Sequence, residues 1–187
     1  MSKNLKILVS LVIILTFGAF MSAAYISYIN LNKSYEANEL QTDSASGSSQ
    51  YIAPDILVKD QQGNLLNLDD FKGKPIVINF WASWCGPCQS EMPNFNEVYL
   101  KEKDNIEFIM VALIDGSKET ESSASKFITS KGYSLPIYFD QKNTSQKNYA
   151  VSSIPTTVFI NKDGMVVDTF TGALSKNNLE KKLDQIR

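Results

Sequence analysis

The sequence predicts an α/β domain with a mixed β-sheet. Two nearly continuous apolar runs, at residues 75–81 and 106–114, are typical of central strands that are covered on both faces. Segments with helical character alternate with these runs, and the chain finishes with a hairpin and an amphipathic helix at residues 174–186. This alternation, followed by a hairpin, is characteristic of a mixed sheet flanked by helices.

Each element of the predicted domain has a local signal. Turn residues at 62–64 and 162–164 separate short apolar runs, which is the pattern of a β-hairpin. Pro93 is expected to kink the helix that contains it. The predicted strands span residues 56–59, 65–68, 75–81, 106–114, 136–139, 156–160 and 165–170. The predicted helical segments span residues 69–73, 89–103, 117–131, 144–150 and 174–186.

The N-terminal part of the chain differs from this domain. Residues 7–29 carry no charge, and at 23 residues they match the ~20 that a helix needs to span a bilayer. Lys3 and Lys6 precede them and acidic residues follow, which predicts a cytoplasmic N-terminus and an exported remainder. We therefore expect a signal-anchor helix in residues 1–30. A signal peptide cleaved near residues 22–24 is the alternative, and it also exports the chain.

A linker is expected between this segment and the folded domain. Residues 31–50 are polar and end in a stretch rich in Ser and Gly, the composition of a flexible tether. The folded domain is expected at residues 51–187. The predicted location is the cell membrane, with a single span and an extracytoplasmic catalytic domain, or a secreted protein if the signal is cleaved.

The composition excludes several classes of function. A net charge of −2 leaves no basic surface of the kind that binds nucleic acid. The sequence has no histidine, which removes His-based catalytic dyads and most zinc sites. Its two cysteines cannot complete a four-cysteine zinc site, and Gln89 rather than histidine follows Cys88, which excludes a haem-attachment motif. We expect no metal, and no cofactor beyond the cysteine pair itself.

The two cysteines, Cys85 and Cys88, follow the apolar run at 75–81 and precede the helical run at 89–103, which is the arrangement of a strand that delivers the pair to the first turn of a helix. A helix N-terminus presents unpaired N–H groups and a partial positive charge, which favour a thiolate over a thiol. The spacing of three residues allows Cys88 to reach the sulfur of Cys85 and to close a disulfide. We therefore expect a redox-active disulfide. Cys85 is the expected nucleophile, and Cys88 then attacks the mixed disulfide.

The motif WCGPC after a buried strand, together with the motif IPT before a later strand, resembles the thioredoxin fold. In that family the proline of the second motif is cis and lies beside the cysteines, where its neighbours accept an extended substrate backbone. The resemblance implies that Ile154 and Pro155 form one wall of a substrate site. It also implies that the residues around the cysteines contact the substrate, namely Trp84, Gly86 and Pro87.

Two positions distinguish this chain from thioredoxin itself. Thioredoxins usually carry a buried aspartate where this chain has Asn79, and they lack a glutamate at the position of Glu91. Asn79 and the E-x-P pattern that begins at Glu91 resemble the membrane-anchored, extracytoplasmic TlpA/ResA-like proteins, although ResA-like members often have Glu-Pro between the cysteines where this chain has Gly-Pro. The resemblance covers residues 51–187. It implies a thioredoxin-like fold with a central mixed sheet flanked by helices, an N-terminal β-hairpin and a central insertion at 117–140.

Glu91 lies one helical turn after Cys88, so its side chain could lie near the cysteine pair. The resemblance implies that it takes a proton from Cys88 when that thiol must attack, as a buried aspartate does in thioredoxin. The alternative is a solvent-facing glutamate early in a helix, where the helix dipole favours a negative charge.

The resemblance implies a thiol–disulfide oxidoreductase that reduces disulfides in exported proteins and is itself re-reduced by a membrane thiol–disulfide electron carrier. In the ResA branch the substrate is the CxxCH motif of apocytochrome c before haem attachment. A disulfide-forming oxidase of the DsbA type is one alternative, although such proteins usually have a histidine where Pro87 stands. A peroxiredoxin would need a threonine at Ala82. A redox-independent binding module is a further alternative, and it predicts that activity survives Cys85→Ser.

Overall fold

The computed structural model describes residues 50–140 and 142–187, and the strands of that part of the chain form one mixed sheet. The strands are β1 (Tyr51–Ile52), β2 (Leu57–Lys59), β3 (Leu65–Asn67), β4 (Ile76–Trp81), β5 (Glu107–Leu113), β6 (Ile137–Asp140), β7 (Thr156–Ile160) and β8 (Met165–Thr171). Their order across the sheet is β1-β8-β7-β4-β5-β6-β2-β3. The neighbours β4, β5 and β6 run parallel, and every other pair is antiparallel. The predicted α/β fold with a mixed sheet is confirmed.

The helices of the described residues follow the predicted order. They are a 3-10 helix (Leu68–Phe71), α1 (Gly86–Glu102), α2 (Glu121–Lys131), α3 (Thr144–Asn148) and α4 (Lys176–Leu183). Pro93 lies inside α1, which continues to its end at Glu102. The kink expected at Pro93 stays a prediction.

Strand β4 lies near the middle of the sheet and is buried along its whole length. Because side chains alternate between the faces of a strand, Val77 and Trp81 lie on one face. There they join the cluster that includes buried side chains of α1, α2 and α4, such as Met92, Ala124 and Leu179. This face of β4 is thus covered, as the continuous apolar run predicted.

The other face of β4 carries Ile76, Ile78 and Phe80. These residues pack with Val58 of the N-terminal hairpin and with Leu68 at the start of the 3-10 helix. The predicted hairpin is therefore part of the same sheet. Its strand β2 pairs with β6, so the hairpin extends the sheet at one edge.

Strand β1 and the start of helix α2 differ from the sequence prediction. The short strand β1 pairs with β8 and was not predicted, because two residues are too few to form a recognisable pattern. Helix α2 begins at Glu121 rather than at residue 117, because the carboxylate of Asp115 accepts hydrogen bonds from the N–H groups of residues 117–119 and holds them in a turn. Thr120 then caps the helix by accepting a hydrogen bond from the N–H of Ser123.

The predicted signal-anchor at 1–30 and most of the predicted linker at 31–50 lie outside the described residues. Within residues 50–140 and 142–187, no helix combines the length and the apolar character that a membrane span requires.

Candidate active site

The cysteine pair lies where β4 passes into α1. Cys85 is the N-cap of α1, and its sulfur is joined to the sulfur of Cys88 in a disulfide. The N–H of Cys88 points at Sγ of Cys85, with a nitrogen–sulfur distance of 3.2 Å. Only 5% of Cys85 and none of Cys88 is exposed. Because the sulfur of Cys85 takes the place of a capping oxygen, a thiolate there would be stabilised by the free N–H groups of the helix.

A cis peptide bond between Ile154 and Pro155 lies opposite the cysteines, as the resemblance implied. The carbonyl oxygen of Ile154 lies 3.8 Å from Sγ of Cys85. Ile154 is half-buried and Pro155 is buried. The loop before β7 therefore approaches the nucleophile through a backbone carbonyl.

A groove of about 270 Å³ borders the cysteine site. Its lining includes Trp84, Asp115, Ser153 and Ile154. Trp84 is 52% exposed. The ammonium of Lys118 lies 5.8 Å from the centre of the Trp84 ring. The groove thus combines apolar and polar groups next to the two residues, Trp84 and Ile154, that flank Cys85.

The remaining predicted substrate residues, Gly86 and Pro87, are exposed in the first turn of α1. A substrate that approaches the disulfide would meet them directly. The structure thus gathers Trp84, Gly86, Pro87 and Ile154 around Cys85, while their roles in binding stay predictions.

Glu91 lies inside the protein and not on the surface of α1, with only 1% of the residue exposed. Its Oε1 accepts a hydrogen bond of 2.8 Å from the side-chain amide of Asn79. Its Oε2 accepts one of 2.8 Å from the backbone N–H of Leu174. The amide of Asn79 also donates to Oγ1 of Thr157, at 3.0 Å. The alternative of a solvent-facing glutamate is therefore wrong.

Burial raises the pKa of Glu91 from 4.5 to about 7. The hydrogen bonds from Leu174 and Asn79 act in the opposite direction, because they stabilise the charged form. Desolvation is the larger effect, so the carboxyl group exchanges its proton near neutral pH. Glu91 lies one turn after Cys88, and its role as a base for that thiol stays a prediction.

Several residues of the site had no recognisable signal in the sequence. Glu119 is fully buried and binds Ser83, 36 residues earlier, in the turn before Cys85. Leu174 meets Glu91 through its backbone, which no side-chain pattern could indicate. Thr157 had the best chance of being found, because it follows the IPT motif on the strand that pairs with β4. No group of three or more His, Cys, Asp or Glu side chains suited to a metal occurs within the described residues.

The Redoxin family model matches residues 45–186 of this chain. Among curated proteins, the thiol-disulfide oxidoreductase ResA of Bacillus cereus is 30% identical over 187 residues, covering 100% of this chain and 99% of the relative.

Solved structures of related proteins also resemble this chain. A thiol:disulfide interchange protein DsbE from Chlorobium tepidum matches with a TM-score of 0.64 and 28% identity, over 72% of this chain and 94% of the other. The exposed lipoprotein thioredoxin Etrx1 of Streptococcus pneumoniae matches with a TM-score of 0.61 and 28% identity, over 70% and 98%. The chain belongs to the Redoxin family and is a TlpA/ResA-like thiol–disulfide oxidoreductase with a thioredoxin-like fold.

Proposed function

We propose that this protein is an extracytoplasmic reductase of disulfides in exported proteins, held at the membrane by residues 1–30. The observation that carries the proposal is the disulfide at the N-terminus of α1, beside the cis bond before Pro155 and an open groove. The similarity to ResA and to an exposed lipoprotein thioredoxin supports action outside the cytoplasm. The CxxCH motif of apocytochrome c is the substrate suggested by the resemblance to the ResA branch.

The reaction begins from the reduced dithiol. The thiolate of Cys85 attacks one sulfur of a substrate disulfide, and the other substrate sulfur leaves as a thiolate that takes a proton from solvent. A mixed disulfide then joins Cys85 to the substrate. Cys88 gives its proton to Glu91 and attacks Sγ of Cys85, which releases the second substrate sulfur as a thiolate. The substrate has gained two electrons, and the protein is left as the Cys85–Cys88 disulfide.

A second thiol–disulfide exchange must return the protein to its reduced form. We assign this step to the dithiol of a membrane thiol–disulfide electron carrier, which is oxidised as Cys85 and Cys88 are reduced. The residues of this chain supply the disulfide, the cap and the base, and we propose that no further cofactor takes part.

The order of attack is tested by Cys88→Ser in the full-length chain. Without Cys88 the mixed disulfide cannot be resolved, so we expect covalent complexes with exported proteins on a non-reducing gel that disappear after reduction. The control is the double variant Cys85→Ser/Cys88→Ser, which should form none. Complexes that form through Cys88 in a Cys85→Ser variant would reverse the assignment of the nucleophile. Full activity of Cys85→Ser would instead favour a redox-independent binding module.

A further inference from the structure

The carboxyl group of Glu119 is fully buried, although it takes no part in the cysteine chemistry described above. Its Oε2 accepts hydrogen bonds from the backbone N–H of Ser83, at 2.5 Å, and from the hydroxyl of Ser83, at 2.8 Å. Its Oε1 accepts a third from the hydroxyl of Ser123, at 2.9 Å. Burying a carboxylate costs free energy unless hydrogen-bond donors surround it. The three donors compensate for this cost, and they tie Glu119 to Ser83 and Ser123.

Ser83 belongs to the turn that carries the chain from β4 to the nucleophile. Its carbonyl oxygen accepts a hydrogen bond of 2.6 Å from the side-chain amide of Gln89, on the first turns of α1. The N–H of Cys85 donates to the carbonyl of Ala82, at 3.2 Å. Glu119 therefore holds one side of the Ser83 peptide while Gln89 holds the other.

The segment that carries Glu119 is itself well fixed. The N–H groups of Asp115 and Gly116 donate to the carbonyl of Glu119, at 3.2 and 3.1 Å. The side chain of Asp115 accepts from the N–H of Glu119 in return. Lys118, the preceding residue, places its ammonium 5.8 Å from the ring centre of Trp84. One short segment before α2 thus contacts Ser83 and Trp84, the two residues that precede Cys85.

We propose that Glu119 is a positioning residue for thiol–disulfide exchange, which acts through Ser83 to hold Cys85 and Trp84 in place. This proposal rests on the proposed function. Loss of the carboxylate frees the Ser83 peptide on one side. The turn then no longer fixes Sγ of Cys85 against the N–H of Cys88, nor Trp84 beside the groove.

Two substitutions of Glu119 test whether its hydrogen bonds to Ser83 are needed, because one variant keeps these bonds and the other removes them. In Glu119→Gln, the amide oxygen can still accept both hydrogen bonds from Ser83, and the NH₂ group can donate to Ser123. In Glu119→Ala, all of these partners lose their bonds. We expect kcat/KM for reduction of insulin disulfides by the full-length chain to fall about tenfold or more in Glu119→Ala, since small misplacements of reacting groups have effects of that size. We expect Glu119→Gln to remain close to the wild type.

A second readout needs no substrate at all. The rate at which iodoacetamide alkylates Cys85 rises with pH as the thiolate forms, and its midpoint reports the stabilisation of that thiolate. Because the cap at the N–H of Cys88 loosens, we expect a higher midpoint in Glu119→Ala, and a midpoint near that of the wild type in Glu119→Gln. If the wild type fails to reduce disulfides but this shift is present, the proposed function fails and the positioning role stands.

Thr120→Ala is the matched control. It removes the cap of α2 at the N–H of Ser123 and leaves both bonds between Glu119 and Ser83. We expect this variant to be less stable, with kcat/KM and an alkylation midpoint like those of the wild type.

The positioning role is overturned if Glu119→Ala folds with unchanged kcat/KM and midpoint, or if Thr120→Ala causes the same losses. If Glu119→Ala does not fold, Ser83→Ala removes one of the two bonds, and an unchanged midpoint there overturns the role as well.

Discussion

Glu91 is the residue on which the proton balance of the proposed reaction depends. Burial raises its pKa to about 7, against the opposing effect of its hydrogen bonds from Leu174 and Asn79. Below that pH the carboxyl group is protonated and cannot take a proton from Cys88. Above it the group is a carboxylate and can do so. The rate of resolution by Cys88 is therefore expected to rise as the pH passes through about 7.

The substitution Glu91→Gln tests this dependence. We expect slower resolution of the mixed disulfide above pH 7 and loss of the rise near pH 7, because an amide of the same shape cannot accept the proton. The measurement is single-turnover reduction of a disulfide by the fully reduced protein between pH 5 and 9. Glu97→Gln is the control, since Glu97 lies on the same helix, half exposed, in surface ion pairs with Lys101 and Lys176. A pH profile of Glu91→Gln that matches the wild type would remove Glu91 from the mechanism.

The sequence identified the reacting residues of the site better than the residues that support them. Cys85, Cys88 and Pro155 belong to short motifs, and all three lie where those motifs predicted. Glu119 lies 36 residues after its partner Ser83, and Leu174 lies 83 residues after its partner Glu91. Their positions follow from the packing of whole elements, so no local pattern could have indicated them.

The ends of the helices show how local chemistry sets element boundaries. Helix α1 begins at Gly86, so the cysteines lie at its first turn as the sequence predicted, where Cys85 acts as the N-cap and Pro87 fits the first turn. Helix α2 ends as predicted, where Gly132 adopts a left-handed conformation with φ of 68°.

The left-handed conformation of Gly132 at the end of α2 predicts how a substitution there changes stability. Gly132→Ala meets no heavy atom within 4 Å of the added Cβ, so its cost is conformational. We expect the free energy of unfolding to fall by about 1–2 kcal/mol, the cost of a left-handed residue with a Cβ, as measured by urea denaturation. Gly86→Ala is the control, because it has the same open space without a positive φ. Equal stability losses for the two variants would contradict this account of the cap.

The topology of the whole sheet brings the parts of the site together. Strands β4 and β5 are parallel, so the turn after β4 and the segment after β5 emerge at the same edge. Strand β7 is antiparallel to β4, so its start, just after Pro155, lies at that edge too. Clefts at the carboxyl ends of parallel strands are common ligand sites in open α/β sheets. Three distant stretches of the chain thus meet at the cysteines.

The proposed function requires that the protein gives electrons to its substrates. The most direct test is the reduction potential of the Cys85–Cys88 couple in the full-length chain, measured by equilibration with thiol–disulfide buffers and quantified by thiol alkylation. We expect a value near that of thioredoxin, about −270 mV. A value near that of DsbA, about −120 mV, would contradict it, because such a disulfide takes electrons from its substrates.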